Sequence, residues 1–248
     1  MSDILVIYKG EHMDTLNILF DKYHLSIKEK RIICKIIKDI YIHNEFQRRL
    51  TNEYMHHGNT SLGEHILEDT IITYIIIKRK NIKSINLEYA LKIAMMHDLY
   101  TLSWQNNSKK TNSFFNKHGF VHPIEAAINS MVWLKNEFEE EAKAKVLIDG
   151  IVHHMYPFPV SVINSFKENY LELNNYDLID DISKRNLKIL KISTNRNSIK
   201  KISISKSLYI EGNIVSMADK ISSIKQLETL GDFTALITGK NKRIIKKL

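Results

Sequence analysis

With a single cysteine, Cys34, the chain cannot close a disulfide within itself, so a small disulfide-held scaffold is excluded. Proline and glycine are scarce as well, three and eight among 248 residues, which leaves long unpunctuated segments that read as helices. Long apolar runs are missing. The best candidate, Ile71 to Ile77, is interrupted by Thr73 and Tyr74 and followed by Lys78, Arg79 and Lys80, well short of the roughly 18 residues a membrane helix needs. The opening Met1-Ser2-Asp3 lacks the basic start of a secretory signal, so the expected location is the cytoplasm, with no membrane partner. Hydrophobic residues make up 44% and charged residues 26% of the chain, which excludes a disordered or fibrous protein. One domain, or one domain with an insertion, is expected at this length.

The formal net charge of +8 is unevenly spread. Between Ile182 and Ile210 stand Lys184, Arg185, Lys188, Lys191, Arg196, Lys200, Lys201 and Lys206 with no acidic residue, so this one stretch equals the whole excess. Such a field attracts phosphates, nucleic acid or an acidic partner; a solvated lysine-rich surface has the same composition. A second basic run spans Lys240 to Lys247.

Hydrophobic spacing predicts an all-α body. From Met13 to Tyr41 the apolar positions Leu16, Leu19, Phe20, Tyr23, Ile32, Ile33, Ile36, Ile37 and Ile40 recur at helical intervals. Ser61 followed by Glu64 forms a capping box that starts a helix running to about Lys80. Further helices are expected over Leu87 to Leu99, from Pro123 at a first helical position to about Phe138, over Lys143 to Met155, and over Ile214 to Leu227. Between Pro159 and Gly212 the character changes. There Ile202 to Ser205 and Leu208 to Ile210 alternate like a short strand pair, which suggests a small β element inserted before the last helix.

Histidine is the unusual abundance. Eight of eleven fall between positions 56 and 154: His56, His57, His65, His97, His118, His122, His153 and His154; the others are His12, His24 and His43. Several stand at helix ends beside structure breakers. Neighbours on a helix point about 100° apart, so His97-Asp98 or His153-His154 can share one site only where a helix ends. Asp219 is the companion carboxylate, set among Ile214, Val215, Ala218 and Ile221, where a charge is costly unless paired or bound to a cation. Imidazole and carboxylate together are ligands for Zn, Mn, Fe, Co or Ni rather than for thiolate chemistry. Asp69, four residues after His65, shares its helix face and reads either as an exposed helical residue, the favoured reading, or as a carboxylate bonded to the outer ring nitrogen of His65. Lys220 either meets a phosphate or is a surface residue, and Trp104 and Gln105 are weak candidates for a pocket lining.

The series His65, His97-Asp98, His122, His154 and Asp219 resembles the HD-domain metal-dependent phosphohydrolases. Around it, His57-Gly58-Asn59-Thr60-Ser61 through His65 is similar to the HGxTSxxxH opening of one bacterial HD subgroup. Ala94-Met95-Met96-His97-Asp98 resembles its LLHD helix end, and His118 to Pro123 its HGFxHP motif. His154-Met155-Tyr156-Pro157 resembles its HMWP motif with Tyr for Trp, and Ala218-Asp219-Lys220 its closing DK. The resemblance covers about residues 54–160 and 212–227, roughly half the chain. In this sequence the His154-to-Asp219 interval is longer than in that subgroup and holds the basic stretch, and no lysine stands two residues after His97-Asp98, where the cyclic-di-GMP-cleaving branch has one.

The resemblance implies an HD-domain helical bundle: an N-terminal helical segment (1–46), a core (47–160 and 212–230), a basic insertion (161–211) and a basic tail (231–248). It implies His65, His97, Asp98 and Asp219 around one divalent transition metal (Mn, Fe, Ni, Co or Zn), with His122 and His154 completing a second and Asp98 bridging. His153, where the subgroup often has a basic residue, is the less favoured of its pair. Two such ions about 3.5–4 Å apart activate water as a hydroxide and clamp phosphoryl oxygens. Asp98 would then be catalytic, with His57 and His118 either contacting phosphate or the leaving oxygen, or capping turns at Gly58 and Gly119. The implied substrate is a phosphorylated small molecule or nucleotide. Two alternatives remain at this stage: a non-catalytic module binding nucleotide or nucleic acid through residues 182–210, and a diiron oxygenase on the same ligand set.

Overall fold

The isoleucine-rich stretch after Ser61 becomes the helix around which the other elements pack. The computed structural model describes residues 13–57, 60–100, 118–162 and 180–230. In chain order its helices are α1 (Met13–Lys22), α2 (Ile27–Tyr41), α3 (Asn44–Arg49), α4 (Leu62–Lys80), α5 (Leu87–Met96), α6 (His118–Trp133), α7 (Glu141–Val152), α8 (Asp181–Asn195) and α9 (Ile210–Leu230). A 3₁₀ turn, Lys135–Phe138, links α6 to α7. Strands are short. β1 (Met55–His57) pairs with β2 (Thr60–Ser61), while β3 (Val160–Ser161), β5 (Ile202–Ser203) and β4 (Ser198–Ile199) form a three-stranded antiparallel sheet in that order. The architecture is all-α with a small sheet, and among the described residues no helix is long and apolar enough to cross a membrane.

α4 is buried on nearly all sides from Leu62 to Ile77, and its buried residues include the polar His65, Glu68, Asp69, Thr70 and Thr73. The Ser61 hydroxyl caps it by accepting from the Glu64 N–H at 3.2 Å, and Asn81 ends it in the left-handed conformation (φ 47°). α9 and α5 pack against α4, and α7 packs against α5, α6, α8 and α9. The α7–α9 crossing is very close. A Cβ on Gly212 would lie 2.6 Å from the Gly150 Cα and 2.5 Å from Ser207 Oγ, so the two backbones touch where both residues lack a side chain.

The apolar pattern from Met13 to Tyr41 is carried by two helices, and three other sequence expectations need correction. The chain turns at His24 (φ 51°) and restarts at Ser26, whose hydroxyl accepts from Glu29 N while the Glu29 carboxylate accepts from Ser26 N, a full capping box. Pro123 lies inside α6, which begins at His118; the ring costs the ladder only the one bond a residue-123 N–H would have given to Gly119, near the helix start. Gly119 is therefore helical and not a turn. Of the expected strand pair, Ile202–Ser203 is a strand, but its partners are Ser198–Ile199 and Val160–Ser161; Leu208 and Tyr209 lead into α9, which starts at Ile210.

The Glu29 carboxylate also takes a hydrogen bond from Lys78 on α4, so one group caps α2 and ties it to the central helix. Lys78 and Ser26 together lower its pKa from 4.5 to about 2. A depressed folded-state pKa stabilises above the unfolded value and ceases to as pH falls through the folded one. Glu29→Gln is therefore expected to lower the melting temperature at pH 7, with the gap to the unsubstituted protein closing between about pH 4.5 and pH 2. A gap independent of pH in calorimetry would show that the ion pair contributes nothing.

Candidate metal centre

Five helices each deliver part of one buried cluster. His65 comes from α4, His97 and Asp98 from the end of α5, His122 from α6, His154 from just past α7, and Asp219 from α9. His65 and His97 are fully buried and Asp98, His122, His154 and Asp219 nearly so. The structure thus brings together all six residues expected from the sequence as ligands.

The helix ends do the aiming. His97 is the C-cap residue of α5 and Asp98 lies beyond it, where the chain leaves the helical path, so both side chains face the cluster. Its ring nitrogen Nδ1 lies 2.7 Å from the Ala94 carbonyl, and His154 Nδ1 lies 2.7 Å from the Ile151 carbonyl. Donation to a backbone carbonyl fixes the tautomer and leaves the Nε2 lone pair of each facing inward, as in metal-ligating histidines. At the corresponding end of α7 the neighbours diverge. His153 Nε2 meets Ser193 Oγ on α8 at 3.1 Å, whereas His154 enters the cluster.

Asp98 divides the cluster. Its Oδ2 lies 3.7 Å from His65 Nε2 and 3.9 Å from His97 Nε2; its Oδ1 lies 3.4 Å from His122 Nε2 and 3.5 Å from His154 Nε2. His122 and His154 are themselves 3.2 Å apart at Nε2, and His65 Nε2 lies 3.5 Å from Asp219 Oδ1. Donors each about 2.1 Å from one ion stand about 3.0 Å apart at a right angle and about 3.4 Å apart at a tetrahedral angle, so these spacings suit ligands of common ions. His97 Nε2 and Asp98 Oδ1 are moreover buried without a hydrogen bond of normal geometry, which a bound cation would remedy. The donor set fits divalent transition metals, and these buried His/Asp groups can hold a metal ion.

The electrostatics agree. Burial opposes charge on His65 and His97, but Asp69, Asp98 and Asp219 outweigh it and raise their pKa values to about 9 and about 10. Burial also opposes ionisation of Asp98, yet His97, His122, His154 and His65 hold it well below the usual carboxylate range. His154, dominated by burial and then by His97, falls to about 4. The carboxylates thus favour positive charge at His65 and His97, whereas His154 resists it.

Asp69 corrects the sequence reading. It is fully buried, and its Oδ2 lies 3.2 Å from Nε2 of His65 and 3.2 Å from Nε2 of His97. His56 is a residue the sequence reading passed over: its ring stacks on His65 (centroids 4.0 Å apart, 19° between planes), and its Nδ1 lies 3.4 Å from Tyr100 Oη. Arg49, fully buried between the rings of Tyr54 and Trp133, donates to the Tyr100 carbonyl at 2.9 Å and so anchors the segment after Asp98. Lys220, on α9, is half-buried. Its amine donates to Ser216 O (2.9 Å), Ser216 Oγ (2.8 Å) and the His154 carbonyl (3.3 Å). The side chains of His57 and His118, and residues Trp104 and Gln105, lie outside the described residues.

The basic stretch is partly spent internally. Arg185 donates to the Phe138 carbonyl, and Arg196 to Asp149 and the Lys206 carbonyl. Asp149, buried on α7, accepts from Ser193 Oγ (2.9 Å), Arg196 Nη1 (2.8 Å), Ser207 Oγ (2.7 Å) and Leu208 N (2.8 Å). Lys184, Lys188, Lys191, Lys200, Lys201 and Lys206 are exposed. Set against known proteins, the chain matches no family model, no curated protein and no solved structure.

Proposed function

We propose that the chain is a metal-dependent phosphohydrolase of the HD-domain kind, acting on a phosphoester, most suitably a nucleotide-like one. The observation that carries this reading is the division of Asp98, with one oxygen toward His65 and His97 and the other toward His122 and His154. That arrangement supports two adjacent ion positions, one held by His65, His97, Asp98 and Asp219, the other by His122, His154 and the shared Asp98. Divalent transition metals there supply Lewis acidity toward phosphoryl oxygens and a water acidified to near-neutral pKa. The chain's own part is positional. The backbone carbonyls of Ala94 and Ile151 orient His97 and His154, Arg49 anchors the segment after Asp98, and the burial of the cluster restricts the water that reaches it. The six exposed lysines between Lys184 and Lys206 favour a polyanionic substrate.

The direct test is metal analysis of tag-free protein purified without chelator, followed by assay of the loaded protein on a phosphomonoester, a phosphodiester and nucleotides. About two equivalents of transition metal with hydrolysis of at least one substrate class is the expected result. No metal uptake, even after reconstitution with Mn or Fe, would overturn the reading and leave a nucleic-acid-binding module, whose binding would weaken with salt. Oxygen consumption by the reduced iron form without phosphoester hydrolysis would make it an oxygenase.

A further inference from the structure

We infer that Asp69 is a direct ligand of the first ion position, beside His65, His97 and Asp219. This rests on the reading that the cluster holds metal.

Three observations point to Asp69 itself. The first is which nitrogen it faces. His97 Nδ1 is engaged by the Ala94 carbonyl, so Nε2 is the nitrogen left for a metal, and Asp69 Oδ2 sits 3.2 Å from that Nε2. A carboxylate that merely orients a ligand histidine bonds the nitrogen the metal does not use, which for His97 is the other side of the ring. The second is convergence. Asp69 Oδ2 lies 3.2 Å from His65 Nε2 too, and ligand atoms of His65, Asp69, His97 and Asp219 all fall within 4.8 Å of one another, a spacing that ligands of one ion satisfy. The third is that both carboxylate oxygens of Asp69 are buried without a hydrogen bond of normal geometry. Among the described residues its ionic neighbours are these two imidazoles, and no Lys or Arg pairs with it. Three buried carboxylates, those of Asp69, Asp98 and Asp219, in one cluster call for a cation.

The consequence is an asymmetric pair. With Asp69 beside Asp219, carboxylates would match imidazoles among the donors of the first position, a set that would suit Mn or Fe better than Zn. The second position, with His122, His154 and the shared Asp98, keeps more room for water and substrate. The first ion is then the tightly held one and the second the exchangeable one.

Cobalt(II) reports coordination number through its visible absorption, weak when six-coordinate and stronger when five- or four-coordinate. The experiment loads the full chain and its Asp69→Asn and Asp69→Glu variants with one equivalent of cobalt, recording spectra and affinity, with circular dichroism to check folding. Asp69→Asn is expected to alter the spectrum and weaken the first equivalent by more than about 100-fold, beyond what loss of an orienting partner costs. Asp69→Glu, which keeps a carboxylate on a longer arm, is expected to retain cobalt with a shifted spectrum, and it decides the matter if the Asn variant fails to fold. An unchanged spectrum with affinity within about tenfold in a folded variant would overturn the assignment of Asp69 while leaving the metal centre standing. Failure of the unsubstituted protein to take up cobalt, manganese or iron would overturn both.

Discussion

On the proposed function, Asp98→Ala is expected to empty both ion positions at once and to reduce phosphoester hydrolysis by about 10³-fold or more. Among the described residues no other has this reach, because Asp98 presents one oxygen to His65 and His97 and the other to His122 and His154. The fold should tolerate the change. Asp98 follows the C-cap of α5, so its side chain belongs to no helical ladder, and its backbone carbonyl still accepts from Tyr100 N at 2.8 Å. Plasma mass spectrometry, circular dichroism and the hydrolysis assay on one preparation separate the outcomes. A variant that keeps two metals and its activity would remove Asp98 from the site. One that loses its metals and still hydrolyses phosphoesters would place the chemistry elsewhere.

Gly212→Val is expected to be the most damaging substitution outside the cluster. Its Cβ would meet Gly150 Cα at 2.6 Å, a backbone atom that cannot turn aside, and Ser207 Oγ at 2.5 Å, which donates to Asp149. Overpacking costs about 1–3 kcal/mol where side chains can adjust, so about 3 kcal/mol or more is expected where a helix must move. At about 2–4 °C per kcal/mol for a chain of this size, the melting temperature should fall by about 6–12 °C. Displacing α9 from α7 also separates Asp219 from His154, so metal affinity should fall with stability. Gly119→Ala is the control: among the described residues nothing lies within 4 Å of its added Cβ, and exchanging a helical glycine for alanine favours the helix by up to about 1 kcal/mol. Equal melting temperatures for the two variants would refute the close crossing.

The helices were legible because their signals are local. Ser61 with Glu64 marked the start of α4, and the apolar spacing located the cores of α5, α7 and α9. Boundaries set by tertiary contact were less so. α6 begins five residues before Pro123, and the break at His24 interrupts a pattern that spacing alone carries straight through. For the cluster, the order of histidines and aspartates sufficed to name six residues that the structure brings together, and it was the resemblance that favoured His154 over His153. Only the path of the chain after α7 sends one toward Ser193 and the other inward. Asp69 was the avoidable miss. The argument that singled out Asp219, a carboxylate in apolar company, applies equally to Asp69 between Leu67 and Ile71. His56 and Arg49 carry no such signal, since their roles depend on a ring and a carbonyl contributed by Tyr100.

The four donors on Asp149 also bear on how this chain can be rearranged. They come from α7's neighbour α8, from the bend after it and from the approach to α9, so the stretch between β3 and α9 is not a detachable cassette. Excising it would leave a buried carboxylate without Ser193, Arg196, Ser207 or Leu208, one helical turn ahead of His153 and His154. Grafting this segment into another protein, or trimming it here, must therefore carry Asp149 along or replace it with an apolar residue. Recombination between related chains would be expected to exchange the two together.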